Sequence, residues 1–197
     1  MISIENISFS YGEKRVLENL SLEIGKGSRI CFFGESGCGK TTLLRLILGL
    51  EKPQSGTIKK DGALRPSAVF QENRLLPFKT VLQNITLIGA DEGAALDRLR
   101  ELGIEAAADS FPSDLSGGMQ RRAAIARALC AEYDYLILDE PFTGLDGANV
   151  SAAARHISES LKERALILVT HSRAEAEMLG AQIIDITETP HIKECKE

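Results

Sequence analysis

The sequence predicts an α/β fold: a mainly parallel sheet covered on both faces, an N-terminal antiparallel β part, and an inserted helical subdomain. Three observations carry this. Ser28–Phe33, Ala68–Phe70, Tyr135–Leu138, Leu166–Val169 and Ile183–Ile186 are short apolar runs without polar alternation, as strands buried on both faces are. Helical stretches separate most of them, and apolar strands alternating with helices indicate a parallel sheet. The first residues behave differently. Ile2, Ile4, Ile7 and Phe9 almost alternate, and Leu20, Leu22 and Ile24 form a second half-buried strand.

In chain order, Gly25-Lys26-Gly27 turns the second strand into Ser28–Phe33, and Leu43–Leu48 follows as a helix closed by Gly49. Thr57–Lys59 is a weak strand ended by Asp61-Gly62, a hairpin-type signal. Between Gln71 and Leu115 the strands stop. Val81–Ile88 and Ala94–Leu102 read as helices, the second closed by Gly103. Gly117–Cys130 is a strong helix, with Ile125 and Leu129 on one face and Arg121 and Arg122 on another. Because strands resume only at Tyr135, residues of roughly 72–130 are expected to be inserted into one domain spanning 1–197. Ala148–Leu161 and Ala174–Leu179 are the remaining helices, and the chain ends in a polar tail.

Composition narrows the function classes. Hydrophobic residues are 44% and charged residues 26% of the 197, ordinary for a globular protein with a real core. A net charge of −5 provides no overall attraction for nucleic acid. No apolar run is long enough to span a bilayer, and the N-terminus lacks the pattern of a signal peptide. A cytosolic protein is expected, reaching a membrane only through a partner. Cys31, Cys38, Cys130 and Cys195 have no zinc-type spacing and are expected as free thiols, Cys31 in the core and Cys195 in the tail.

The chemistry concentrates in Gly34-Glu35-Ser36-Gly37-Cys38-Gly39-Lys40-Thr41, continued by Thr42, between a strand and a helix. Two glycines five apart, then Lys and Thr, form a loop whose N–H groups wrap phosphate oxygens at a helix N-terminus. Lys40 reaches the β- and γ-phosphates, and the Thr41 hydroxyl binds Mg²⁺. Tyr135–Leu138 delivers Asp139 and Glu140 at a strand's carboxyl end, the edge where ligands bind in open α/β sheets. There Asp139 suits Mg²⁺, held through water, and Glu140 a water-polarising base. Leu115-Ser116-Gly117-Gly118-Met119-Gln120 opens a second helix as another anion-favouring N-terminus. One domain does not need two such sites for one triphosphate, so this one is expected to serve the nucleotide of another copy; a plain N-cap is the alternative. His171 ends Leu166–Thr170 on the same edge, whereas His156 and His191 read as structural.

Together these motifs resemble the nucleotide-binding subunit of ATP-binding cassette transporters, which has a P-loop NTPase core. The resemblance covers Walker A at Gly34–Thr41, the Q-loop at Gln71 and the signature at Leu115–Gln120. It continues with Walker B at Tyr135–Asp139 plus Glu140, the D-loop at Gly144-Leu145-Asp146 and the switch histidine at His171. Tyr11 stands where the family stacks an aromatic on adenine. The resemblance implies ATP and Mg²⁺ as cofactors, with Thr41, Gln71 and Asp139 at the metal and Lys40, Glu140 and His171 catalytic. It also implies a head-to-tail dimer, each ATP lying between one loop and the other copy's Ser116, Gly117 and Gly118. Met119 departs from the family's commoner Gln.

Phe111-Pro112 and the stretch Val69–Phe78, with Thr80, Val81 and Asn84, resemble bacterial importer ATPases of the nitrate, sulfonate and taurine group. Uptake systems for pyrimidine precursors have similar ATPases. The partners implied are a transmembrane permease, a second nucleotide-binding subunit and an extracytoplasmic solute-binding protein, but no nucleic acid. The location implied is the inner face of the cell membrane. A soluble ATPase of the same superfamily, acting in DNA repair or on the ribosome, is the alternative. Such proteins carry coiled coils, zinc modules or fused cassettes, which this sequence lacks.

Overall fold

The computed structural model describes residues 1–35 and 37–186; Ser36, His191 and Cys195 lie outside them. Two sheets form the frame. β1 (Ile2–Tyr11), β2 (Lys14–Ile24) and β4 (Ser55–Lys60) make an antiparallel sheet in the order β2-β1-β4. β5 (Pro66–Val69), β6 (Tyr135–Asp139), β7 (Ala165–Val169), β3 (Arg29–Phe33) and β8 (Gln182–Asp185) make a parallel sheet in that order.

Alternation along the parallel strands divides the interior into two cores, because successive side chains point to opposite faces. Ile30 and Phe32, Ile137, and Ile167 and Val169 face the antiparallel sheet and α1 (Lys40–Leu48). Cys31, Leu136 and Leu138, and Leu166 and Leu168 face the other helices. These strands are apolar throughout because both faces are buried. The same burial pushes the Cys31 thiol up to about 11.

Between β5 and β6 the chain forms α2 (Val81–Thr86), α3 (Glu92–Glu101), two 3-10 turns, and α4 (Gly117–Cys130). Buried Asn84 fixes the entry to α2: its amide donates to Leu76, Lys79 and Thr80 carbonyls and its oxygen accepts from Leu76 N–H. α5 (Gly147–Leu161) and α6 (Arg173–Met178) complete the chain's helices among the described residues.

Two expectations need correction. Asp61-Gly62 does turn the chain, with Gly62 at φ 66°, but β4 and β5 do not pair there. β4 pairs back with β1, and the turn carries the chain from one sheet to the other. Arg121 is not on a different face of α4 from Ile125 and Leu129. It is 2% exposed and lies on the Ile125–Leu129 side, one and two turns before them.

β1 kinks where its register shifts between Glu5 and Ser8, around Asn6 at φ 48°. Gly56 of β4 crosses this kink at φ 76°, and a Cβ there would stand 2.3 Å from Glu5 O and 2.4 Å from Asn6 O. At Gly62 a Cβ would meet nothing within 4 Å. Gly62→Ala should therefore lose only the left-handed cost of ~1–2 kcal/mol. Gly56→Ala should lose ~1–3 kcal/mol more, since neither carbonyl can yield without breaking the ladder. Urea midpoints measure both, and equal losses would contradict the close approach.

Candidate nucleotide-binding site

Four neighbouring strands end on one edge and each supplies part of a cleft of about 370 Å³. β3 runs into the glycine loop and α1, β5 into Gln71, and β6 into Asp139 and Glu140. β7, between β6 and β3, ends in Thr170 and His171. The antiparallel sheet adds Tyr11, Lys14 and Val16. Tyr11 is half exposed and held edge-on by Phe9, ring centroids 4.9 Å apart at 81°.

Lys40 Nζ donates to the Gly34 and Glu35 carbonyls at 2.6 and 2.8 Å, and Cys38 Sγ lies 3.8 Å away. The ammonium is thus held inside the loop. Gly39 has φ 106°, and a Cβ there would come within 2.7 Å of Val16 Cγ1, so conformation and packing both demand glycine. α1 begins with no side-chain cap and no acidic residue in its first turn. The other five α-helices are capped by Thr80, Asp91, Ser116, Asp146 and Ser172. Uncapped N–H groups and the helix dipole, opening on a cleft beside a lysine, suit a phosphate.

The Thr41 hydroxyl donates to Asp139 Oδ2 at 3.2 Å. Asp139 is 2% exposed, and burial pushes its carboxyl above the usual range against the pull of that hydrogen bond. Two hard oxygen donors this close, one carrying an uncompensated desolvation cost, fit Mg²⁺ chemically. Gln71 lines the same cleft.

Glu140 has φ 49°, in the left-handed region that costs a non-glycine residue ~1–3 kcal/mol. Its N–H donates to Val169 O at 2.8 Å and its carbonyl accepts from Arg121 Nη2. The carboxylate oxygens lie 3.1 and 3.0 Å from His171 Nδ1. That hydrogen bond, then the carboxylate's charge, raises the His171 imidazole above its ordinary 6.5.

Tyr11, Gly37, Gly39, Lys40, Thr41, Thr42, Gln71, Asp139 and Glu140 line one cleft, as expected together from the sequence; Gly34, Glu35 and Cys38 form the loop around Lys40, and His171 joins through Glu140. Leu115–Gln120 do not line it. Ser116 caps its own helix, accepting from Met119 N–H at 3.3 Å, and Gln120 bonds the Pro112 and Leu115 carbonyls. Asp146 likewise caps α5 through Asn149 N–H. Lys14, Val16 and Arg121 are the contributors that sequence reading misses. For Arg121 the signal was present, since positions 121, 125 and 129 repeat every four residues along one stripe.

A family model described as ABC transporter matches residues 17–143, and the chain belongs to that family. Its curated relatives include the aliphatic sulfonates import ATP-binding protein SsuB 1 of Burkholderia cenocepacia, 40% identical over 192 residues, covering 93% of this chain and 60% of that protein. The SsuB 1 protein of Agrobacterium fabrum is 39% identical over 200 residues, covering 94% and 71% respectively. The chain thus spans about three fifths of the length of the first of these relatives. Among solved structures, a dimeric bacterial ABC transporter cassette superposes with a TM-score of 0.84 at 27% identity, covering 98% of this chain and 97% of that one. A dimeric post-hydrolysis state of an ATP-binding cassette, bound to ADP and Pi, gives 0.84 at 26% identity with the same coverage.

A raised imidazole fixes a sign. The His171–Glu140 pair is fully present below pH 6.5 and is lost as pH rises through the higher folded value. An NMR titration of His171 should give a midpoint above 6.5, and Glu140→Gln should bring it back towards 6.5. A wild-type midpoint at or below 6.5 would show that the contact does not persist in solution.

Proposed function

We propose that this chain is the ATP-binding and hydrolysing subunit of a bacterial importer, driving a permease from the cytoplasmic face of the membrane. The observation that carries this reading is the convergence on one edge of an uncapped helix with Lys40, the Thr41–Asp139 pair, and Glu140 braced by His171. In this reading the adenine lies against Tyr11, while the loop N–H groups and Lys40 take the phosphates. Thr41, Gln71 and Asp139 would hold Mg²⁺, which when bound would neutralise charge on the phosphate oxygens. Glu140 accepts a proton as a water oxygen bonds to the γ-phosphorus and the bond to the β-γ bridging oxygen breaks, releasing ADP and phosphate. His171 holds the Glu140 carboxylate and contacts the γ-phosphate.

A second copy completes the site in the same proposal. Ser116 and Gly117 are exposed at the N-terminus of α4, free to meet the nucleotide of the other copy, with Asp146 beside that interface. Dimeric cassettes among the similar structures support this arrangement. Among the described residues no helix is long and apolar enough to cross a membrane, so the transport path is assigned to the permease. The importer relatives make aliphatic sulfonates the first solute class to test, delivered by a solute-binding protein.

Glu140→Gln keeps the shape but cannot take the proton. Turnover should fall ~10²–10⁴-fold while Mg-ATP still binds, and a sizing column should show a shift to dimer. Asp139→Asn disturbs the metal and should weaken Mg-ATP binding with no such shift. Near-wild-type hydrolysis by Glu140→Gln would remove Glu140 as the base.

The surface offered to the permease follows Gln71. Leu75 packs on the core and Leu76 is pinned at its backbone by Asn84, but Phe78 is 70% exposed. Phe78→Asp should lower ATP-driven uptake at least several-fold in reconstituted vesicles and leave hydrolysis by the isolated chain within about twofold. These limits follow from an exposed apolar contact that is absent without the partner. Loss of both activities, or of neither, would count against a coupling surface.

A further inference from the structure

α4 carries two arginines that work inward. Arg121 is buried and its guanidinium is shared between two segments far apart in sequence. Nη1 donates to Phe70 O and, at 3.2 Å, to Asn73 Oδ1, on either side of Gln71. Nη2 donates to Asp139 O at 3.0 Å and to Glu140 O. Six residues on, Arg127 donates to Arg74 O at 2.9 Å and Asn73 O at 3.2 Å.

The acceptors share a feature. Glu140 and Arg74 are two of the few non-glycine residues with positive φ, at 49° and 48°. Each has its carbonyl held by an arginine of α4. Left-handed residues of this kind persist only when their surroundings over-determine them. At Glu140 the surroundings are the Val169 carbonyl on one side of the peptide and the Arg121 guanidinium on the other. A planar fork with donors on two nitrogens can hold both segments at once; a lysine, as a single point of charge, cannot reproduce that geometry.

We propose that Arg121 is a positioning residue that ties the Gln71 segment to the Asp139–Glu140 backbone, so that the Gln71 loop and the base move as one body. The inference rests on the reading of Glu140 as base. Removing the fork frees Glu140 from its left-handed turn and swings the carboxylate away from the water and from His171. It removes no hydrogen bond made by Lys40 or by the Thr41 hydroxyl, since Arg121 bonds neither side chain. The consequence is a loss in kcat without a matching loss in ATP affinity. A membrane partner that displaces the Gln71 segment would then act on Glu140 directly, through Phe70 O, Arg121 and Glu140 O.

The test uses the full chain with Arg121→Met, which fills the space without a buried charge, and Arg121→Lys, which keeps one. Steady-state ATP hydrolysis and fluorescent-nucleotide binding are measured on both, with the His171 NMR titration as a report on where Glu140 lies. Arg121→Met should lower kcat ~10–100-fold, with KM and nucleotide affinity changed less than about threefold and the His171 midpoint moved towards 6.5. Arg121→Lys should fall between wild type and the methionine variant in both readouts. If the methionine variant does not fold, the lysine variant decides, and wild-type kcat with a wild-type His171 titration overturns the proposal. So does a parallel loss of affinity and kcat, which marks a merely structural role. Failure of the underlying reading is separate: there Glu140→Gln would itself hydrolyse ATP at the wild-type rate.

Discussion

The hydrogen-bonded registration of three parallel strands is the constraint on which the site depends. β7 pairs with β6 on one side and β3 on the other, so Asp139 lies opposite Val169, and Val169 opposite Phe32. A shift of one residue in either ladder would turn every inward side chain to the other face and separate the two cores. It would also carry Asp139 away from Thr41, whose contact joins the end of β6 to the first turn of α1 across the intervening strand. The two cores therefore hold more than stability. They hold the carboxyl ends of the strands level with one another.

Strain and its restraint sit side by side on that edge. Glu140 leaves β6 through a left-handed turn, while the two residues that hold the turn, Val169 and Arg121, come from opposite cores of the molecule. Burial pulls the Arg121 guanidinium below its usual value, and the charges of Asp139 and Glu140 offset part of that pull. Such a buried cation adds little net stability compared with an apolar side chain of the same size, so its presence points to geometry.

Most of this was legible in the sequence where the signal is local. Apolar runs located the parallel strands, and Ser116 with Gly117 marked the start of α4. Non-local facts were not legible. Asp61-Gly62 announces a turn but not which strand follows into which sheet, and β4 returns to β1, pairing Ile2 with Lys60 and Ser8 with Ser55. Arg121 is expected on a different face from Ile125 and Leu129, although its four-residue spacing to them places it on their side, where it is buried. Its acceptors are main-chain carbonyls, which no sequence pattern advertises. Val16 lines the cleft beside Gly39, which comes from another element, a neighbourhood that no local pattern announces.

The left-handed backbone at position 140 also restricts what can replace the glutamate over evolutionary time. Residues with a branched Cβ fit that conformation worst, while glycine, asparagine and aspartate fit it best. A descendant that lost this carboxylate but kept its shape would drift towards those three. Arg121 would remain through such a drift, because the carbonyls it holds belong to the chain itself and survive any change of side chain. A retained arginine beside a vanished carboxylate would then mark where the glutamate once stood.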